Sequence, residues 1–216
     1  MSPLAVTGRA GRLQLKHRLA VARGGVDLLE RKQRVIAAEL ERLELQRERT
    51  AEQWETAWSQ AVTWLQRCTA LDGVQGLDDA VLDGVRGVAE RAADAAVPGE
   101  AAQAEVDWGC VMGVTYPRGA RCLLPPARPV GGSAALAPAV SAHRRAVEAG
   151  VRHAAATRAV SLLGAELATT RALRKSIETR LVPRLEQALH DLEVRLDETD
   201  REENLRMRWS AGTREG

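Results

Sequence analysis

The sequence predicts a mainly α protein, in which the N- and C-terminal helices form a long antiparallel two-helix coiled coil with a small α+β middle segment containing a hairpin. Three observations support this fold class. The first third of the chain carries a long heptad pattern, a second helical stretch occupies the last third, and aromatic residues are scarce, with five Trp, one Tyr and no Phe in 216 residues. Aromatic side chains supply much of the buried area of compact cores. A narrow seam of Leu, Val and Ala between two helices therefore suits this composition better than a globular core.

The first helix is predicted from an apolar seam with alternating steps of four and three residues. The seam comprises Leu15, Leu19, Ala22, Val26, Leu29, Gln33, Ile36, Leu40, Leu43, Arg47, Thr50, Trp54, Ala57, Ala61, Trp64, Cys68 and Leu71. Only Gln33, Arg47 and Thr50 interrupt its apolar or small character. A period of 3.5 residues sustained over this length is typical of a left-handed coiled coil. We expect the helix to end at Asp72-Gly73, with Trp54 and Trp64 in the core and Trp58 outside it.

The middle segment has a different composition. A weak helical pattern runs from Leu77 to Ala96, and the stretch from Val106 to Leu124 is rich in Val, Thr, Tyr and Trp. That composition predicts a β-hairpin, for which Pro117-Arg118-Gly119 is the candidate turn. Such a hairpin could bring Cys110 and Cys122 near each other, although it implies no disulfide.

A second long helix is predicted from about Ala139 to Arg208, with Pro183 removing one backbone hydrogen bond and bending it. Its expected seam is Val147, Val151, Leu162, Leu173, Ile177, Leu181, Leu185, Ala188, Leu192 and Leu196. Two long helices joined by a compact middle bury their seams against each other, with both termini at one tip. The predicted division is residues 1–72, 73–138 and 139–216.

The sequence lacks the common motifs of nucleotide-binding, hydrolytic and metal sites. The three lysines follow no Gly-rich loop, so a P-loop is absent, and no serine lies in G-x-S-x-G. His17, His143, His153 and His190 form no metal-binding pattern, and we interpret each as a solvated helix residue. The sequence therefore predicts no catalytic residue, no metal and no cofactor. The net charge of +2, with Arg interleaved with Glu and Asp, argues against nucleic-acid binding.

Export and membrane insertion are also disfavoured. Met1 to Arg12 contains no apolar stretch of the signal-peptide kind, and the three cysteines form no C-x-x-C pair. The longest charge-free run, 129–142, is shorter than the roughly 20 apolar residues of a spanning helix and contains two prolines. We therefore expect a reduced, cytoplasmic protein.

Three segments, in order along the chain, resemble the D subunit, which is the central rotor shaft of V-type and archaeal A-type ATPases. Residues 12–32 are similar to R-L-x-L-x-x-R-L-x-x-A-x-x-G-x-x-L-L-x-x-K. Residues 111–117, VMGVTYP, are similar to VMGVKVP. Residues 181–186, 196–202 and 206–208 resemble IPRLE, LDE-x-ERE and RLK. The chain departs from the family at 175–178, which read KSIE instead of NALE, and at Asn204-Leu205, where the family has an aromatic pair.

The resemblance implies a non-catalytic central-stalk subunit of a V/A-type rotary ATPase. Such a subunit couples ATP hydrolysis or synthesis in a ring of A and B subunits to rotation and ion transport in the membrane sector. Its other implied partners are the small F subunit and the subunit that links the shaft to the membrane rotor ring. The implied location is cytoplasmic, peripheral on the inner face of the cell membrane.

Two sets of residues follow as candidate partner contacts. At the tip, the expected contacts with the A/B ring are Arg9, Arg12, Lys16, Arg206 and Arg208, although ordinary solvated charge explains each equally well. At the other end, the expected contacts with the F subunit and the stalk are Trp58, Val111, Met112, Gly113, Val114 and Pro117. Gly25 falls on the family's glycine, and we expect a neighbouring helix to pack closely there.

Another class of function remains open from sequence: a free-standing coiled-coil scaffold, or a stalk of a secretion or flagellar-export apparatus. Such proteins use similar antiparallel helices without any ATPase ring. A nucleic-acid-associated coiled coil is a more distant third.

Overall fold

The predicted fold class is confirmed by a computed structural model, which describes residues 8–94, 102–126 and 133–212. Helix α1 spans Gly8–Asp94, strands β1 and β2 span Gln103–Val111 and Val114–Leu123, and helix α2 spans Leu136–Ser176. A π-helical turn, Ile177–Leu181, leads into helix α3, Val182–Gly212. Ala95 and Ala96, at the end of the predicted weak helix, lie outside the described residues.

Gly73 interrupts α1 at the position where the sequence places the end of the first helix. Its φ of 69° and ψ of 174° are non-helical, and helix continues beyond it to Asp94. Glycine reaches positive φ without a steric penalty, so this residue can change the chain direction at low cost.

The π-helical turn lies directly before Pro183. The Val182 N–H donates to the carbonyl of Ile177, five residues back, instead of four. Proline has no N–H and its ring clashes with the carbonyl four residues earlier. The π turn and Pro183 therefore lie at one point of the helix, and both are features at which helices bend.

The chain packs as two compact units, each of which contains an antiparallel helix pair. Unit 1 consists of residues 1–35 and 167–216, and unit 2 consists of residues 36–166. This division by packing differs from the three consecutive segments that the sequence predicts, because each unit combines residues from both long helical regions of the chain.

In unit 1 the predicted seam is buried at its N-terminal end. Leu15, Leu19 and Ala22 of α1 are buried, as are Leu167, Thr170 and Leu192. Ion pairs join Arg9 to Asp200 and Arg23 to Glu186. Because the residue number falls along α3 as it rises along α1, the two helices run antiparallel.

In unit 2 the buried face of α2 is lined mainly by alanine. The buried residues of α2 include Ala139, Ala142, Ala146, Ala149, Ala156, Ala159 and Leu163, and those of α1 include Ile36, Leu43, Ala61 and Cys68. Ala139 clusters with Cys68, and Ala142 and Ala146 cluster with Ala61. The predicted C-terminal seam is wrong here, since Val147 is 48% exposed while its neighbour Ala146 is buried. Small side chains face α1 because Trp54 and Trp64 of α1 lie on this side. Trp54 is 37% exposed, so its predicted place in the core is wrong. Leu71, at the predicted end of the α1 seam, is also exposed.

The hairpin turns at Met112-Gly113, so the predicted turn at Pro117–Gly119 is wrong. Val111 pairs with Val114, and the two residues between them have φ of 49° and 83°. Positive φ at both positions is typical of the type I′ turn that matches the twist of paired strands. Pro117-Arg118-Gly119 instead forms a bulge, because Asp107 pairs with Gly119 and Trp108 with Pro117. Cys110 pairs with Thr115 and Cys122 with Ala104, so the expected proximity of the two cysteines is also wrong.

Candidate partner-binding surfaces

The predicted tip cations all belong to unit 1, and we call this set the terminal surface: Arg9, Arg12, Lys16, Arg206 and Arg208. All five are exposed. Arg9 pairs with Asp200 at 3.3 Å, Lys16 with Glu193 at 3.0 Å, and Arg206 with Glu202 at 3.2 Å. Arg12 and Arg208 make no ion pair within the described part of the chain. Three of the five cations are therefore matched by acids of their own chain.

Two of these pairs belong to a regular ladder that sequence reasoning missed. Arg9, Lys16 and Arg23 are spaced by seven residues, and so are their partners Asp200, Glu193 and Glu186. Heptad spacing places successive members on one side of a helix, so cations of α1 meet acids of α3 repeatedly. Each exposed pair contributes only about 0.2–1 kcal/mol, so the ladder sets register more than it stabilises. The sequence signal for this ladder is a cation every seven residues in α1 and an acid every seven residues in α3.

The predicted close approach at Gly25 is wrong. A Cβ built on Gly25, or on Gly24, would meet no atom within 4 Å. The neighbouring helix leaves open space at this point, so the glycine is not required by packing within the chain. Close approach occurs instead at Gly150, where a Cβ would lie 3.2 Å from Nε1 of Trp54. Gly150 was missed because the sequence seam placed its neighbours Val147 and Val151 inward.

The predicted contacts of the hairpin end lie in unit 2, on a set that we call the hairpin surface: Trp58, Val111, Met112, Gly113, Val114 and Pro117. Trp58 is 51% exposed and meets the ring of His143 edge to face, with centroids 6.5 Å apart. Met112 and Gly113 are exposed at the turn, and Val111 and Val114 are half-buried. Pro117 is buried and does not present its side chain to a partner.

Strand β1 adds exposed apolar residues that sequence reasoning did not single out. Trp108 is 60% exposed and Val106 is 39% exposed, and they lie two residues apart on β1. Side chains two residues apart share one face of a strand, so these two form an apolar stripe. Large exposed apolar side chains in a row mark a contact surface more often than single ones do.

An apolar groove of about 350 Å³ also lies in unit 2. Its walls include Leu65, Leu124, Val140, His143 and Val147. Arg144 stands at its edge, where its guanidinium donates to the carbonyl of Leu124 at 3.5 Å. Because Trp58 contacts His143, the groove and the exposed indole lie side by side.

A polar cluster, which we call the tyrosine clasp, fastens the hairpin to α1. The Tyr116 hydroxyl donates to Oε1 of Glu39 at 2.6 Å, and Arg42 donates to both Glu39 oxygens. The hydrogen bond from Arg42 lowers the pKa of Glu39, while burial followed by the bond to Glu39 raises the pKa of Tyr116. Gly109, opposite Tyr116 on β1, leaves room for the ring, since a Cβ there would lie 3.2 Å from Cζ. Gln46 adds a bond to the carbonyl of Arg118 at 3.4 Å.

Two of the four histidines are not the solvated residues that the sequence suggested. The ring of His153 stacks on Trp54 with centroids 5.6 Å apart and planes 7° from parallel. Its Nδ1 lies 3.3 Å from the Thr50 hydroxyl, which already donates to the carbonyls of Gln46 and Arg47. His143 and His153 thus serve helix packing, because each lies opposite a tryptophan of α1.

Catalytic or metal chemistry finds little support in the described ranges. Within them, no group of three or more His, Cys, Asp or Glu side chains is arranged to hold a metal ion. Cys68, Cys110 and Cys122 are free thiols, and burial raises the pKa of the Cys68 thiol. No helix among the described residues is long and apolar enough to cross a membrane. In unit 1 the described surface carries charged side chains among exposed apolar ones such as Leu205 and Trp209, and in unit 2 it carries an apolar groove beside the exposed Trp58.

Comparison with known protein families gives a match over most of the chain. A family model for the D subunit of ATP synthase matches residues 12–211, nearly the whole chain. The match includes α1 from its second turn onward, the hairpin, α2 and α3 up to its last described residues. No curated protein matches the sequence.

Proposed function

The chain belongs to the ATP synthase D-subunit family, a family of rotary-ATPase stalk subunits, and from this premise we propose that it is the central rotor shaft of a V/A-type enzyme. In this role it couples ATP hydrolysis or synthesis in a ring of A and B subunits to rotation and ion transport in the membrane sector. It performs no bond chemistry. As part of the complex it lies at the cytoplasmic, inner face of the cell membrane.

The observation that carries the proposal is the family match over residues 12–211, combined with the fold. A shaft must transmit torque, so it needs paired helices that resist twisting against each other. Unit 1 has an antiparallel pair with a charge ladder, and unit 2 has a pair interlocked by tryptophan and small residues. Both arrangements fix the register of the helices, which a torsionally stiff element requires.

The proposed division of labour follows the chemistry of the two surfaces. The terminal surface is charged, and several of its cations are already paired within the chain. It would therefore contact the A/B ring without one rotation angle being strongly favoured over the others. The hairpin surface, with the Trp108 stripe and the apolar groove beside Trp58, would hold permanent partners: the small F subunit and the subunit that links the shaft to the membrane ring. Exposed tryptophans and apolar grooves are typical anchors of tight interfaces.

The coupling is a free energy between sites and not a chemical step. An asymmetric shaft that stabilises a different conformation in each A/B pair biases nucleotide binding, and nucleotide binding in turn biases the shaft angle. The chain contributes only its surface and its stiffness to this exchange.

The first experiment is reconstitution with the purified A/B ring and the F subunit. We expect the full chain to form a stable complex with both and to change the ATPase rate of the ring. Trp108→Ala should weaken binding of the F subunit or of the linking subunit, while the matched Trp209→Ala, in unit 1, should leave both unchanged. Failure of the wild-type chain to bind either the ring or the F subunit would reject the rotor assignment in favour of a free-standing scaffold.

A further inference from the structure

Positive charge is concentrated in one part of unit 1 that the sequence analysis did not single out. Two segments are involved: residues 27–35 of α1, and residues 171–184, which run from the end of α2 through the π-helical turn into α3. Together they contain eight Lys or Arg and three Asp or Glu, whereas the whole chain has a net charge of only +2. We call these two segments the basic cluster. The rest of the chain is therefore net acidic.

The two segments lie beside each other in the helix pair. Arg23 contacts Glu186 at 2.7 Å, and the helices run antiparallel from that point. One heptad further along α1 is Glu30, and one heptad back from Glu186 is Thr179, inside the π-helical turn. Continuation of the pairing thus places residues 27–35 next to the turn.

The cations of the basic cluster differ from those of the ladder, because most have no acid of their own chain. Arg174 pairs with Glu178 at 3.8 Å, and Lys32 has an interaction within the chain. The others are all exposed and make no ion pair within the described residues: Arg31, Arg34, Arg171, Lys175, Arg180 and Arg184. Five of these six are arginine, whose planar guanidinium suits bidentate pairing with carboxylates at interfaces.

Exposed aliphatic side chains lie among these cations. Leu28, Val35, Leu173 and Leu181 are all at least two-fifths exposed. Apolar side chains at this density next to arginine are a feature of protein interfaces. Two buried donors nearby, Nε2 of Gln33 and Nε of Arg174, also have no hydrogen-bond partner. The cluster is therefore a part of unit 1 in which most charges and several apolar side chains have no partner among the described residues.

We propose that the basic cluster is a docking surface for an acidic protein surface that also presents apolar side chains. The inference rests on the proposed function, under which that acidic surface belongs to the A/B ring. Three of the five cations of the terminal surface are already paired within the chain, whereas six of the eight cations of the basic cluster make no ion pair within the described residues. The proposal therefore places the main contact with the ring at the basic cluster instead of at the terminal surface.

A protein partner fits these observations better than a nucleic acid or a lipid surface. The cluster contains no aromatic side chain on which a base could stack. Asp27 and Glu30 lie among the cations and would repel phosphates, whereas a protein can match them locally. Nor do the segments carry the Trp or Phe residues that commonly anchor a helix in a bilayer interface.

The test compares two charge-reversed variants of the full chain for binding to the purified A/B ring. The cluster variant carries Arg171→Glu, Arg180→Glu and Arg184→Glu. The matched control carries Arg18→Glu, Arg152→Glu and Arg195→Glu, which change the net charge equally at exposed, unpaired positions. We expect the cluster variant to bind about tenfold or more weakly and the control to stay within about threefold of wild type. Helical circular dichroism verifies folding, and a milder Arg→Gln set at the same three positions replaces the cluster variant if its helix content falls.

Each result has a distinct meaning. If wild type binds the ring and the cluster variant binds equally well, the docking proposal is overturned while the rotor assignment stands. Absence of ring binding by wild type overturns the rotor assignment and the docking proposal with it. Parallel measurements with duplex DNA and with phosphatidylserine vesicles complete the design, since cluster-dependent binding to either that is tighter than to the ring would contradict a protein partner. Wild-type affinity for the ring should fall with added salt more steeply than that of the cluster variant.

Discussion

Units 1 and 2 use the same antiparallel arrangement of helices but hold it by different interactions. In unit 2, alanines of α2 face tryptophans of α1, and the largest fully buried side chains of the described residues are found there: Ile36, Leu43, Leu163 and Cys68. In unit 1, Leu15 and Leu19 supply a thinner buried seam, and exposed ion pairs flank it. Unit 2 is therefore specified by shape and unit 1 mainly by charge and pattern.

This difference indicates which substitutions each unit tolerates. Close packing makes unit 2 sensitive to small changes of volume, because interiors relax only partly around a cavity or an added group. Exposed ion pairs make unit 1 tolerant, because each pair contributes little and is screened by salt. For a shaft, a firm unit that holds partners and a tolerant unit that meets a changing ring would be a sensible combination.

The largest expected effect is the loss of a fully buried side chain from unit 2. Leu43→Ala should lower the free energy of unfolding by about 2–5 kcal/mol, because it removes buried apolar area and leaves a cavity. The control is Leu45→Ala, two residues away and 56% exposed, which should change it by less than about 0.5 kcal/mol. Urea denaturation followed by circular dichroism measures both. Equal effects of the two changes would contradict the tight packing assigned to unit 2.

The two glycines give the sharpest contrast between the units. Gly25→Ala should raise the free energy of unfolding by about 1 kcal/mol, because alanine favours helix and the site is open. Gly150→Ala brings the same helix preference, but its methyl group pushes against the Trp54 indole. It should therefore raise the free energy of unfolding clearly less than Gly25→Ala does, or lower it. Gly150→Leu should lower stability by about 1–3 kcal/mol. Thermal and urea unfolding provide the comparison, and a destabilising Gly25→Ala would restore the idea of close approach at Gly25.

The tyrosine clasp should make unit 2 sensitive to pH at both extremes. The lowered pKa of Glu39 gives stability that is present above its ordinary value of 4.5 and is lost as pH falls through the folded-state pKa. The raised pKa of Tyr116 gives stability that is present below its ordinary value of 10 and is lost as pH rises through the folded-state pKa. Tyr116→Phe should cost about 1–2 kcal/mol at neutral pH, reduce the acid loss and abolish the alkaline loss caused by this group.

Tyr116 is the single tyrosine of the chain, so the absorbance of tyrosinate reports on this residue alone. Its titration midpoint should lie above its ordinary value of 10 in the folded protein and return to that value in denaturant. Glu39→Gln serves as the companion variant, and it should bring the folded-state midpoint closer to the ordinary value. A wild-type midpoint at the ordinary value would show that the clasp is not formed.

The smallest expected effect is the coupling between partners of the ladder in unit 1. A double-mutant cycle with Lys16→Ala and Glu193→Ala should give about 0.2–1 kcal/mol at low salt and nearly zero in about 1 M salt. The same cycle on Lys16 and Glu186, which are not partners, is the control and should give no coupling. Coupling that survives high salt would show that unit 1 depends on more than screened surface charge.

The α1 seam, and with it the fold class, could be predicted because periodicity is a property of the sequence alone. The α1 seam proved correct at Leu15, Leu19, Ile36, Leu43 and Ala61, all of which are buried. The α2 seam could not be read in the same way. Its buried face consists mainly of alanines, because tryptophans of the opposite helix already fill the space between the two helices. Choosing the largest apolar side chains as the buried ones therefore selects the wrong face of α2.

Contacts between distant residues were beyond sequence reasoning. The turn at Met112-Gly113 was missed because Pro-Arg-Gly is the stronger local turn signal, while strand register decided the outcome. Gly150 and the tyrosine clasp depend on residues far apart in sequence coming together, as Glu39 and Tyr116 do. Exposure was anticipated at Trp58, Met112 and Gly113 but not at Pro117, which is buried. The pairing that neutralises two cations of the terminal surface could not be anticipated, because it required the register between α1 and α3.

The most direct test of the rotor assignment is to watch the chain turn. With the A/B ring fixed to a surface, a bead is attached to the chain through the exposed Cys110, in a Cys122→Ser background that leaves Cys68 buried. We expect the bead to rotate in one direction when ATP is added and to stop when ATP is removed. A ring that hydrolyses ATP with the chain bound while the bead only fluctuates about one angle would contradict the assignment of this chain as the rotor.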